Sequence, residues 1–229
     1  MSTLSDNLLR LEENIGEAAL RVGRDRREIV LVAVTKGVNV ARMQEAIDLG
    51  IRHIGENRVQ EARSKWPRIA SEVEWHMVGH LQSNKAGVAL EMFSLLHSLD
   101  RPSLLRRLAH RAEKAGICAR VLVQVNTSGE ATKSGVDLCR AEDFILEALE
   151  TPGIAVEGLM TMGPLHGGPA AARPGFGQLR RLAERIREMR LPQGQLPYLS
   201  MGMTGDYVEA ILEGSNMLRV GTAIFGPRR

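Results

Sequence analysis

The chain has 229 residues, 44% hydrophobic and 25% charged, with a formal net charge of +3. This length and apolar content suit one large α/β domain with a sizeable core and exclude a small disulfide-stapled module. No run approaches the ~20 apolar residues of a membrane span, the N-terminus lacks the apolar core of a signal peptide, and basic residues are scattered among acids, so neither a membrane nor nucleic acid is an expected partner. An aromatic content of 3% also leaves few platforms for base stacking. Cys118 and Cys139 have no metal-ligand spacing; no metal is expected, and the pair suits a reducing, cytoplasmic setting and a role in core packing.

Apolar residues at Leu4, Leu8, Leu11, Ile15, Ala18, Ala19 and Val22 predict an amphipathic helix over 4–22, capped by Thr3 or Ser5 and stopped by Gly23. The stretch 29–36, IVLVAVTK, is an unbroken β-branched run that suits a strand buried on both faces. From there strands and helices alternate. Strands are predicted over 53–56, 74–78, 94–98, 119–126, 154–160, 198–200 and 216–220, and helices over 40–49, 58–65, 83–90, 101–115, 138–150, 176–189 and 206–213. Eight strands, each followed by a helix or by the chain end, imply parallel pairing with right-handed crossovers. At this length the pattern is a TIM-type (β/α)8 barrel with one extra helix in front. A doubly wound open sheet is the alternative, but no G-x-G-x-x-G follows the first strand. Neither a repeat nor a linker divides the chain, so 1–229 reads as one domain. The Gly- and Pro-rich stretch 163–177 reads as a loop at the mouth, either a lid or an inert surface loop.

Lys36 sits at the C-terminal lip of the first strand, where α/β barrels place reactive groups. Partial burial would favour the neutral amine that imine formation with an aldehyde requires; the bland alternative is a strand-end lysine reaching into water. Two late segments face the same mouth: SMGMTGD at 200–206 and RVGTAIFG at 219–226. Barrels often hold phosphate with the loops after strands seven and eight. Gly221 permits close backbone approach, Thr222 offers a hydroxyl and an N–H, and Ser200 supplies a second wall. These could equally be ordinary turn and capping residues. An amine and a phosphate cup on neighbouring strands are the minimum for pyridoxal phosphate (PLP) held covalently by a lysine.

The runs VAVTK (32–36), GENRVQE (55–61), WHMVGHLQSNK (75–85), GLMTM (158–162), SMGMTGDYVEAI (200–211) and RVGTAIFG (219–226) together resemble the PLP homeostasis family, called the YggS or PROSC family, over nearly the whole length. That family is similar to the barrel domain of fold-type III enzymes such as alanine racemase. The resemblance implies PLP bound covalently to Lys36, Arg219 at the pyridine nitrogen, and phosphate held by Ser200, Gly221 and Thr222. Asn57 and His80 match motif positions near the mouth. Asn57 also reads as a cap for the helix starting at Arg58, and His80 as a packed, hydrogen-bonded histidine. Where the family's first-strand motif more often has SKT or SKF, this chain has Thr35-Lys36-Gly37.

The resemblance further implies a PLP carrier in vitamin B6 homeostasis that supports amino-acid and keto-acid balance, rather than an enzyme. An arginine keeps the pyridine nitrogen unprotonated and makes the ring a weak electron sink. The resembled racemases add a tyrosine base from a further β domain, for which the chain has no room past the eighth strand; its only tyrosines are Tyr198 and Tyr207. An open mouth and a monomer are therefore expected, with transient contact with apo-enzymes that take up PLP as a further possible partnership. The alternatives are a PLP-dependent racemase or related enzyme, and a barrel for another phosphorylated metabolite with Lys36 as counter-ion.

Overall fold

A computed structural model of the protein describes residues 3–69, 72–130, 134–164 and 166–227. Helix α1 (Leu4–Leu20) opens the chain with a capping box in which Thr3 Oγ1 accepts from Asp6 N–H and the Asp6 carboxylate accepts from Thr3 N–H. Its apolar stripe lies buried over the end of the chain. Then follow β1 (Val30–Val34), α2 (Val40–Asp48), β2 (His53–Glu56), α3 (Val59–Lys65), β3 (Glu74–Met77), α4 (Ala86–Met92), β4 (Leu95–Leu99), α5 (Pro102–Ala115) and β5 (Ala119–Asn126). A two-residue strand β6 (Val136–Asp137) precedes α6 (Leu138–Glu150), β7 (Ile154–Met160), α7 (Gly168–Glu188), β8 (Tyr198–Ser200), α8 (Tyr207–Leu212), β9 (Met217–Val220) and α9 (Thr222–Phe225).

Every strand pairing is parallel. The order β4-β3-β2-β1-β9-β8-β7-β5 is closed by a β4–β5 pairing, which makes a barrel of eight strands with β6 attached to β5. Closure leaves no sheet edge, and alternation of side chains along each strand separates two cores. The outer one, between strands and helices, takes Leu31, Ala33, Ile54, Met77, Leu96, Val121, Val123, Leu218 and Val220 together with the helical faces. The inner one, within the barrel, contains Val32, Val34, Val78, Leu95, Leu122, Met160 and Met217. The buried polar residues His76, His97, Ser200 and Arg219 share the barrel with this small apolar set.

Two expectations need correction. Within 163–177, residues from Gly168 onward are not loop but the first turns of α7. Pro169 stands in the first turn, where a missing N–H costs nothing, and Pro174 is accommodated inside the helix. Gly175 is there for packing: a Cβ would come within 2.7 Å of Thr127 Oγ1. The two cysteines are both exposed, so neither packs in the core. Cys118 precedes β5 in the connection from α5, and Cys139 lies on the outer face of α6.

Candidate functional site

The lip of β1 is built as a tight turn. Val38 N–H donates to Thr35 C=O at 2.9 Å, which places Lys36 and Gly37 at the two central positions. Gly37 has φ +74°, the conformation a type II turn demands of its third residue. The glycine here thus has a backbone reason. Lys36 is half-buried and shares the parity of Val32 and Val34, which line the barrel interior.

The residues flanking Lys36 are gripped from outside the barrel by a buried ionic network. Lys65 Nζ, at the end of α3, donates to Thr35 C=O at 2.8 Å, to Glu56 Oε1 at 2.7 Å and to Glu61 Oε1 at 2.7 Å. Thr35 Oγ1 donates to the same Glu56 oxygen at 2.7 Å, and Gly37 N–H donates to Glu61 Oε1 at 2.6 Å. One ammonium therefore fixes both peptide neighbours of Lys36. Burial raises the Glu56 pKa in spite of the bonds from Lys65 and Thr35. Burial also works against the Glu61 charge, but the bonds from Lys65 and Gly37 win and its pKa is lowered. Glu56 Oε2 is buried without a hydrogen bond among the described residues.

Across the β1–β9 ladder Val32 pairs with Arg219 and Ala33 with Val220, so the chain leaving β9 passes beside the end of β1. Gly221 lies so close that a Cβ there would sit 3.1 Å from Val34 C=O. Thr222 follows, exposed on the same lip as Lys36. The Ala223 N–H donates to Thr204 Oγ1 at 3.3 Å, tying this segment to the one after β8.

Below the lip, Arg219 is 5% exposed. Its guanidinium donates to Ser200 Oγ at 2.7 Å and to Thr161 C=O at 2.7 Å. Both acceptors are neutral, and no carboxylate lies within ion-pair distance of it among the described residues. Burial pulls the Arg219 pKa down to about 10, against the opposing field of Asp206. Arginine still stays charged at neutral pH, so this is a cation held by dipoles with hydrogens left for a ligand. Burial raises the Asp206 pKa, and its carboxylate accepts from Met203 N–H at 2.6 Å, shaping the turn before α8.

Lys36, Gly221 and Thr222 therefore share one lip, with Arg219 beneath. Ser200 lies deeper: it is fully buried and its hydroxyl engages Arg219. Asn57 does not cap α3, whose N-cap is Arg58 without a side-chain cap bond. It stands half-buried at the end of β2, and Gly79 passes against it so closely that a Cβ would lie 2.4 Å from Asn57 C=O. His80 is exposed rather than packed, with Nδ1 3.1 Å from Asp100 Oδ2. Sequence reading missed Thr161, His97, Thr204, Glu56, Glu61 and Lys65 as parts of this site. All except His97 and Lys65 fall within the matching runs, where a parity argument could have sorted inward from outward positions.

The alanine racemase N-terminal domain family matches residues 7–229. A protein of Aquifex aeolicus named pyridoxal phosphate homeostasis protein is 38% identical over 226 residues, covering 98% of this chain and 98% of its own. The Escherichia coli K12 protein of the same name is 35% identical over 235 residues, covering 100% and 98%. Among solved structures, PipY of Synechococcus elongatus with PLP bound superposes with a TM-score of 0.81 at 35% identity, over 93% of this chain and 100% of PipY. Alanine racemase of Clostridium difficile superposes with a TM-score of 0.77 at 14% identity, over 98% of this chain and 59% of the enzyme, a likeness of fold.

Proposed function

The chain belongs to the pyridoxal phosphate homeostasis protein family, and from that membership we propose that it binds PLP at the barrel mouth, covalently through Lys36, and holds and hands over the cofactor. The proposal is supported by what the barrel mouth carries on neighbouring strands: a half-buried lysine at the end of β1, a close backbone approach at Gly221 and a buried arginine on β9.

The donor set fits the group. PLP, when bound, supplies an aldehyde carbon open to an amine and an electron-withdrawing ring. Lys36 is the residue for the aldehyde, its turn held in place by Lys65 and Glu61. Arg219 would face the ring nitrogen, where it can only donate, so that nitrogen stays unprotonated. Gly221 and Thr222, with Ser200 behind, would hold the phosphate, with Asn57 and His80 on the neighbouring lip. The carrier reading draws support from the relatives' names, which describe homeostasis, and from an unprotonated ring, which stabilises carbanions weakly. Its physiological side is amino-acid and keto-acid balance, with apo-enzymes as transient recipients. A racemase would need a second base facing Lys36. Tyr207 packs against the outer core and Tyr198 against the apolar residues inside the barrel. Exchange of the alanine α-proton in heavy water tests this: no turnover is expected, and rapid exchange would overturn the carrier reading.

The binding proposal is tested by the absorbance of the PLP-treated protein beside Lys36→Ala. The expected result is a visible band in the parent protein that the variant lacks. An identical spectrum in the variant would contradict the assignment.

A further inference from the structure

Three histidines run through the barrel in single file, on three consecutive strands. His53 Nδ1 lies 3.0 Å from His76 Nε2, His76 Nδ1 lies 2.9 Å from His97 Nε2, and His97 Nδ1 lies 3.1 Å from Ser200 Oγ, which in turn accepts from Arg219. The file starts at the floor of the barrel, where the His53 side chain is 26% exposed, and ends at the buried cation below the mouth. Burial drives the His76 pKa down to about 3, and lowers that of His97 well below its ordinary value, so both imidazoles are neutral. A neutral imidazole has one N–H and one acceptor nitrogen. Rings joined nitrogen to nitrogen must therefore all donate toward the floor or all donate toward the mouth.

The same floor offers a different reading, since His53, Glu74 and His76 each place one potential metal-ligand atom within 4.8 Å of the others. The rings argue against it. Both histidine pairs have centroids 5.2 Å apart, about 2.2 Å more than the nitrogen–nitrogen distance, close to two imidazole radii. The lone pairs and N–H bonds thus point along the file rather than at a shared ion. The Arg120 guanidinium also stands 4.0 Å from the Glu74 oxygen that would have to ligate.

We propose that His97, His76 and His53 are positioning residues that act as one tautomer chain, each with its proton on Nε2, and that the chain sets the Ser200 hydroxyl so that it accepts from Arg219 while donating to His97. Charges at the two ends select this direction. At the mouth, Arg219 repels N–H dipoles and attracts acceptors. At the floor, the Glu74 carboxylate is nearly equidistant from His53 Nδ1, at 3.9 Å, and His76 Nε2, at 4.0 Å, so it does not choose between those two nitrogens, but its charge favours the orientation in which the His97 and His76 N–H dipoles point toward the floor. Arg120 is itself paired with Glu157 through two hydrogen bonds, so Glu74 keeps the balance of charge there negative. A chain of aligned hydrogen bonds strengthens each member. It explains how a buried guanidinium is satisfied without a carboxylate, which leaves its charge directed at a ligand. That last step alone rests on the PLP reading.

The test is nitrogen-15 NMR of histidine-labelled protein without ligand near neutral pH, the six histidines being assigned by substitution. His97 and His76 are both expected as the Nε2–H tautomer. His53→Gln, whose amide can still accept from His76, should leave both unchanged. His53→Phe removes the terminal acceptor and should shift both rings together toward Nδ1–H. A proton on Nδ1 of either ring in the parent protein, opposite tautomers on the two rings, or a His97 signal indifferent to His53→Phe would overturn the proposal. The coupling to the mouth is read separately, as a shift in the absorbance band of bound PLP in His53→Phe that His53→Gln does not show. An unmoved band would overturn that coupling. Failure of PLP to bind leaves the ligand-free tautomers as a complete test, so the two readings fail independently.

Discussion

At the scale of single residues, the site depends on charges that the fold keeps dry. Lys65 carries three hydrogen bonds, and two of its acceptors are carboxylates. Lys65→Met would leave Glu56 buried without its counter-ion, and losing one partner of a buried pair costs about 3–5 kcal/mol. Urea unfolding should show a loss of that order, together with weaker PLP retention because the Lys36 turn loses its anchor. A stability equal to the parent's would show that the network is dispensable. The histidine file gives the pH dependence. The His76 pKa falls from 6.5 in the unfolded chain to about 3 in the folded one. In that window the unfolded state takes up a proton that the native state refuses, so stability rises with pH. The His76 contribution is fully present above the unfolded value and is lost as pH falls toward the folded one. Urea midpoints measured across this range should decline on acidification. His76→Gln should remove about one proton from the slope; an unaltered slope would contradict a neutral buried His76.

At the scale of elements, the barrel is closed where backbones touch. Gly158, in β7, follows the irregularity at which β7 shifts register against β5, and a Cβ there would lie 2.0 Å from Tyr198 C=O. Gly158→Ala must push β8 away from β7, and β8 carries Ser200, the acceptor for Arg219. The expected outcome is a loss of more than about 2 kcal/mol of stability, measured by thermal unfolding, and a reduced PLP absorbance. Normal stability would show that the strands can part without cost. The helices tell what sequence could see. Their apolar stripes were legible, as was the Thr3 cap of α1, whereas the Asn57 cap expected for α3 is not formed and the start of α7 was hidden by composition. Three prolines and five glycines within 163–177 signal a loop locally, yet a first-turn proline and a glycine packed on Thr127 suit a helix in this tertiary setting.

At the scale of the molecule, strand–helix alternation made the barrel readable. Barrel closure then placed Lys36 beside Gly221, because the first and last strands of a closed sheet are neighbours. Closure also explains what stayed hidden. His97 and Ser200 are 103 positions apart, and their contact exists only once eight registers are fixed together. His53, His76 and His97 recur at roughly the strand repeat, a spacing without meaning until their strands are known to lie side by side. The lip residues were thus visible as motifs, whereas their supports, Lys65 outside and the histidines inside, belong to packing.

The central claim, an amine at the opening strand's lip that captures PLP, is tested most directly by borohydride reduction of the PLP-loaded protein followed by peptide mass mapping. The account expects one pyridoxyl adduct, on the peptide bearing Lys36. An adduct confined to other lysines, or none on a protein that retains PLP, would contradict it.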